Sequence, residues 1–197
     1  MCNLFSPRAS KRVTMLHNEK ELLERIARGE TELFAHIAEH YAQAVYTLVV
    51  RIVGNVEDAE ELTQDVLMRV FEHLPYFNFK CAFSTWLYRI AYNQAISFAR
   101  RKRLPHYPID DNRLRSVTDN EVEQMEATAD NERQIEALTR AIALLDAEER
   151  ALITLFYYEE RTVAECAEIM SQNENNIKVR LHRIRKKLYI LLRDEKE

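Results

Sequence analysis

Asn175, Asn176, Lys178, Val179, His182, Arg183 and Lys186 fall on one face, and its flanks, of a single helical stretch late in the chain. Amides and cationic side chains are the groups that hydrogen-bond base edges and phosphate oxygens, and Val179 offers an apolar contact for a thymine methyl. Between Asn175 and Leu188 stand six Lys and Arg and no acid, although the whole chain carries a formal charge of −4. On a wheel of about 100° per residue, Ile177, Leu181, Ile184 and Leu188 gather on the opposite side as a stripe that must pack on a domain. Cations near a helix C-terminus also favour the helix dipole, which accounts for Arg185 to Lys187. The dipole does not account for amides and a base in the first half, where it favours acids. This face reads as a contact for a polyanion.

Two further surfaces carry chemistry. Arg100 to Arg103 end an earlier helix that also holds Tyr88, Tyr92, Asn93 and Gln94, and the loop before it holds Tyr76, Phe77, Phe79 and Phe83. Aromatic rings beside cations suit an unstacked single strand, whose bases need a π-surface and whose phosphates need positive charge. Packing competes for the same rings, since most aromatics of a helical bundle lie in its core. The helix upstream has the opposite character. Ala59, Leu62, Val66 and Val70 form its buried stripe, while Glu57, Asp58, Glu61, Gln64, Asp65 and Glu72 share the far arc with Met68. An acidic arc repels DNA, so it is either solvated or faces a protein.

These residues need helices to position them, and the composition supplies little else. Only two Gly and four Pro occur in 197 residues, with 47% apolar residues, which points to an all-α protein with ample core. Four helices are expected over residues 19–103. Gly29 and Gly54 suit left-handed ends, Asn55 suits a cap, Pro75 a stop, and Ser84 or Thr85 the cap of the fourth. Residues 104–132 hold Pro105, Pro108 and a surplus of acids without a sustained apolar period, and read as an acidic linker. Helices resume over residues 133–197. Asp146 caps one, Thr162 and Glu165 form a capping box for the next, and Asn173 caps the basic helix. A short helix, a turn and a basic helix make a helix-turn-helix, whose second helix enters the DNA major groove. Residues 1–18 read as a flexible extension, with Met15 an alternative start.

The same features exclude other classes. Cys2, Cys81 and Cys166 lack CxxC spacing, which suits a reducing cytoplasm and argues against a disulfide framework or structural zinc. No apolar run approaches the ~18 to 20 residues of a membrane helix. His36 and His40 lie one turn apart, a spacing seen in metal sites, but no HExxH, third ligand, phosphate loop or nucleophile accompanies them. No metal, cofactor or catalytic residue is expected.

Three stretches carry a family resemblance. "VYTLVVRIVGNVEDAEELTQDVLMRVFEHL" is similar to region 2.1 to 2.2 of bacterial RNA polymerase sigma factors of the extracytoplasmic-function (ECF) type. "FSTWLYRIAYNQAISFARRKR" resembles region 2.3 to 2.4, and "TVAECAEIMSQNENNIKVRLHRIRKKL" resembles region 4. The resemblance implies a region 2 domain at 19–103 and a region 4 helix-turn-helix domain at 133–197, joined by the linker. It implies that Asp58, Glu61, Gln64, Asp65 and Met68 dock on the clamp helices of the largest subunit of the polymerase core. Phe77, Phe79, Phe83, Arg89, Asn93, Arg100 and Arg101 would hold the opened strand of the −10 promoter element. Asn175, Asn176, Lys178, Val179, His182, Arg183 and Lys186 would read the −35 element as duplex. An anti-sigma protein is a further partner the family allows. Ser171-Gln172-Asn173 replaces the usual Gly-Ile-Ser turn, and Val179 a common Ser, which bears on promoter preference. A stand-alone helix-turn-helix regulator is the rival reading, and it leaves the region 2 stretches without a purpose.

Overall fold

Capping chemistry sets most helix boundaries. Helix α1 (Glu19–Ala27) leads through Gly29, at φ +113°, to a short 3-10 turn at Thr31–Leu33 and then α2 (Phe34–Val53). Gly54 ends α2 at φ +73°, where its N–H returns to the Val50 carbonyl at 2.8 Å, a conformation most side chains resist. Asn55 accepts the Asp58 N–H at 2.8 Å and opens α3 (Val56–His73), which Pro75 closes through a 3-10 turn at Leu74–Tyr76. Helix α4 (Phe83–Lys102) starts earlier than expected. Ala82 precedes it, while Ser84 and Thr85 are buried inside its first turn rather than capping it. The reason is tertiary: the Ser84 hydroxyl is taken by Arg161, which donates to it at 3.1 Å.

The computed structural model describes residues 18–104, 106–122 and 132–195. The expected extension before Asn18, Pro105 and linker residues 123–131 lie outside them. Helix α5 (Asp111–Ser116) is followed by a helical turn at 119–122. Helix α6 (Glu132–Ala143) leads to α7 (Ala147–Ile153), whose capping box joins Asp146 and Glu149. A wide π turn at Thr154–Tyr158 follows, then α8 (Val163–Met170), opened by Thr162 and Glu165. Ser171 turns the chain at φ +55°, and Asn173 caps α9 (Glu174–Asp194) by accepting the Asn176 N–H at 2.8 Å. All regular structure among the described residues is helical.

The two helical blocks share one continuous apolar core, in which α2 and α4 pack against α7 and α8. Polar groups cross this seam. The Tyr88 hydroxyl donates to Glu159 Oε2 at 2.5 Å, and the Arg161 guanidinium lies 4.6 Å from the centroid of the Tyr88 ring. Arg150 reaches from α7 to the Ile52 carbonyl at 2.7 Å while also holding the Leu145 and Ala143 carbonyls at 2.8 and 3.0 Å. Arg51 stacks 3.6 Å from the Tyr158 ring centroid. Burial raises the Glu159 carboxyl above the ordinary carboxylate range and pushes the Tyr88 phenol well up.

A second, smaller cluster forms where the linker meets α9. Leu114, Val117 and Val122 bury against Ile190, with Ile109 and Tyr189 at the edge. Three apolar residues spaced this way are too few to give a periodic signal, which is why the segment reads as structureless in sequence.

Candidate nucleic-acid interface

A groove of about 550 Å³ runs between helices α3 and α4. Asn93, Gln94, Ser97, Arg100 and Arg101 line it from α4, and Arg69 and His73 from α3. Three guanidinium groups over one groove make a strong site for phosphates, with the amides of Asn93 and Gln94 placed to hydrogen-bond a base or sugar. Asn93, Arg100 and Arg101 are thus brought together as the sequence suggested. Arg89 is half-buried on the same helix and does not line the groove. Arg69 and His73 were missed because α3 reads as an acidic helix. Their i, i+4 spacing at its C-terminal end was the available signal, and the His73 ring bonds the Arg69 carbonyl at 2.9 Å.

The aromatic loop divides in two. Phe83 is buried in the core at 2% exposure, and Phe77 at 8% packs 5.1 Å from Trp86 and 5.7 Å from Phe83 between ring centroids. Neither ring presents a face to a base, a correction to the expectation that both would. After Pro75 the loop folds over the start of α4, and its rings shield Trp86 instead. Phe79 and Tyr76 remain outward, at 43% and 81% exposure. Phe79 holds a left-handed backbone at φ +58°, and the ammonium of Lys20 lies 5.7 Å from its ring.

On α3 the arc of Glu61, Gln64, Asp65 and Met68 is exposed, and Met68 projects as a bare thioether among acids. Asp58 is partly withdrawn, its carboxylate bound by the Lys102 ammonium at 2.6 Å. An exposed Met ringed by polar groups is an economical protein contact, because the flexible thioether adapts to its partner. The buried stripe of Ala59, Leu62, Val66 and Val70 lies in the core.

On α9 the apolar stripe Ile177, Leu181, Ile184 and Leu188 is buried, which fixes the rotation of the helix. Asn175, Asn176, Lys178 and Val179 all face outward from the first half. The second half is occupied. Arg183 pairs with Asp111 at 2.7 Å, while His182 and Lys186 both approach Asp119, at 3.3 and 3.1 Å. On the flank toward α7, Arg180 meets Glu148 at 3.1 Å and Lys187 meets Glu149 at 2.5 Å. Of these cations the sequence assigned His182, Arg183 and Lys186 to a polyanion, and here carboxylates of the chain itself hold all three.

Neither His36 nor His40 joins a cluster suited to a metal; no such group of three ligands occurs among the described residues, and His40 stacks edge-on against Tyr41. Among the described residues, no helix is long and apolar enough to cross a membrane.

Known proteins share both blocks. The Sigma-70 region 2 model matches residues 37–104, and the Sigma-70 region 4 model matches residues 135–188. The ECF RNA polymerase sigma factor SigW of Bacillus subtilis is 30% identical over 184 residues, covering 89% of this chain and 97% of SigW. The ECF RNA polymerase sigma-E factor of Escherichia coli is 28% identical over 173 residues, covering 85% and 90% of the two chains. In three dimensions the chain resembles CnrH, solved in complex with the cytosolic domain of CnrY, with a TM-score of 0.62 at 19% identity over 89% of this chain and 97% of that one. The fold is also that of RpoE, solved with the anti-sigma factor NepR from Bartonella quintana, with a TM-score of 0.59 at 20% identity over 81% and 96%. A stand-alone helix-turn-helix regulator would leave the match to region 2 unexplained. The chain belongs to the ECF family of RNA polymerase sigma factors.

Proposed function

We propose that this sigma factor directs polymerase core to promoters by dividing the reading of DNA between two surfaces of different chemistry. In this reading residues 19–103 act as the region 2 domain, 104–132 as an acidic linker and 133–197 as the region 4 domain. The cationic groove between α3 and α4, with Phe79 and Tyr76 outward beside it, takes the melted strand at −10. Asn175, Asn176, Lys178 and Val179, continued by His182, Arg183 and Lys186, take the −35 duplex. The acidic face around Asp65 and Met68 docks on the clamp helices of the core. The observation that carries this is the gathering of Arg69, His73, Arg100 and Arg101 with two amides along one groove, while Glu61, Asp65 and Met68 of α3 stay exposed.

The polymerase holds the two DNA-reading surfaces at a fixed separation, so each contributes at a high effective concentration. Flipping a base costs a few kcal/mol, which stacking of about 1 to 3 kcal/mol per base offsets. No step asks this chain to make or break a covalent bond, so it acts as a specificity subunit in the cytoplasm rather than as an enzyme. CnrH and RpoE were solved with bound partners, one of them an anti-sigma factor. In this reading a protein of that kind is a partner of this chain too.

Run-off transcription with purified core on a pool of promoter fragments tests the assignment. Asp65→Arg is expected to abolish co-purification with core while the fold is kept. Lys178→Ala is expected to weaken initiation at −35-dependent promoters by about 1 to 3 kcal/mol per lost base contact. Unchanged initiation in both variants overturns the two assignments.

A further inference from the structure

The basic face of α9 is closed over part of its length by the linker that precedes it. Asp111, at the start of α5, binds Arg183, and Asp119 sits between His182 and Lys186. Glu121 accepts the Tyr189 hydroxyl at 3.2 Å. Leu114, Val117 and Val122 seat the segment on Ile190, and at the far end Arg113 grips both oxygens of Asp194 at 2.9 and 2.6 Å. Three of the seven residues assigned to −35 reading therefore already hold carboxylates.

We propose that residues 109–122 are an autoinhibitory cover, in which two carboxylates stand where promoter phosphates would lie and compete with DNA for the back half of α9. The inference rests on α9 being the −35 reading helix and adds how that helix is kept from DNA in the free protein. The chemistry favours exchange over permanent closure. Asp111 and Asp119 are 67% and 69% exposed, so their ion pairs are weak and screened by salt. A duplex presents a continuous row of phosphates and releases counterions on binding, which a pair of carboxylates does not match. Asn175 to Val179 stay open at the front of the helix, giving DNA a place to begin before the cover lifts. The apolar seat returns the cover once DNA leaves.

The test is binding of the full chain, without core, to a fluorescein-labelled random-sequence duplex at low salt, followed by anisotropy. Asp111→Asn combined with Asp119→Asn removes the competing charges without disturbing a buried group. Because such surface pairs are individually weak, the double variant is expected to bind about three- to tenfold tighter. Asp110→Asn removes a neighbouring charge that pairs with no cation on α9, and it keeps an amide able to cap α5. It is expected to bind like the wild type. Equal affinity of the double variant and Asp110→Asn overturns the cover, whether both bind as the wild type does or both bind tighter. Lys178→Ala separates the two claims. If it weakens binding while the double variant changes nothing, the cover is wrong and the reading helix stands. If it changes nothing in either background, α9 is not the reading helix and the cover falls with it.

Discussion

Two seams hold this molecule closed, and they are built from opposite materials. The linker meets α9 through ion pairs made by exposed aspartates over a cluster of four apolar side chains. The seam between the helical blocks is a continuous apolar core crossed by Arg150, Arg161, Glu159 and Tyr88, all nearly or fully buried. Exposed pairs weaken as salt rises, whereas buried ones are shielded from it. The first seam is suited to release by a competing polyanion. Opening the second requires burying those surfaces elsewhere, as docking on a large protein does. The difference teaches that DNA access and block separation answer to different cues.

The largest expected effect lies in the buried seam. Arg150→Ala strips partners from three carbonyls at once and is expected to cost about 3 kcal/mol in chemical denaturation, with the two blocks losing cooperativity. A loss below about 0.5 kcal/mol, the level of an ordinary surface change, would break the contrast. Tyr88→Phe leaves the buried Glu159 carboxylate without its donor and is expected to cost about 1 to 2 kcal/mol. On the other seam, Leu114→Ala is expected to act locally. Amide exchange should quicken over 111–122 while the global unfolding midpoint stays put. Raising salt from about 0.1 to 1 M should do the same, since screening shortens from about 10 to 3 Å. Global destabilisation by Leu114→Ala would show that the seams are one cooperative unit.

The smallest effect is in pH. Burial raises the Glu159 carboxyl, so the folded chain binds its proton more tightly than the unfolded chain does. Stability of the wild type relative to Glu159→Gln should therefore grow as pH falls from neutrality toward the ordinary carboxylate value of 4.5, and level off below it. A thermal-midpoint difference between the two proteins that shrinks on acidification would contradict the buried assignment.

Local chemistry was legible where it is self-contained. The caps at Asn55, Asp146, Thr162 and Asn173, the left-handed glycines and the buried stripes of α3 and α9 depend on residues three or four apart, and sequence shows such spacings directly. Legibility failed where a partner is distant in the chain. Ser84 looked like a cap because Arg161, which claims it, lies far downstream. Phe77 and Phe83 looked like stacking surfaces because nothing local reveals that they cover Trp86. The acids of the linker read only as the charge of a connecting segment, since their targets on α9 lie more than sixty residues away.

The π turn at Thr154–Tyr158 has a consequence for the buried seam. Its wider hydrogen-bonding step, with the Glu159 N–H reaching back to the Thr154 carbonyl at 2.9 Å, accommodates one residue more than an α-helical turn would. Held in ordinary α winding, that extra residue would rotate everything downstream by about 100°. The wider turn takes it up instead, so Glu159 and Arg161 still point at Tyr88 and Ser84 and α8 arrives in phase with α4. The fit between the two halves of the protein thus hangs on the looseness of one coil.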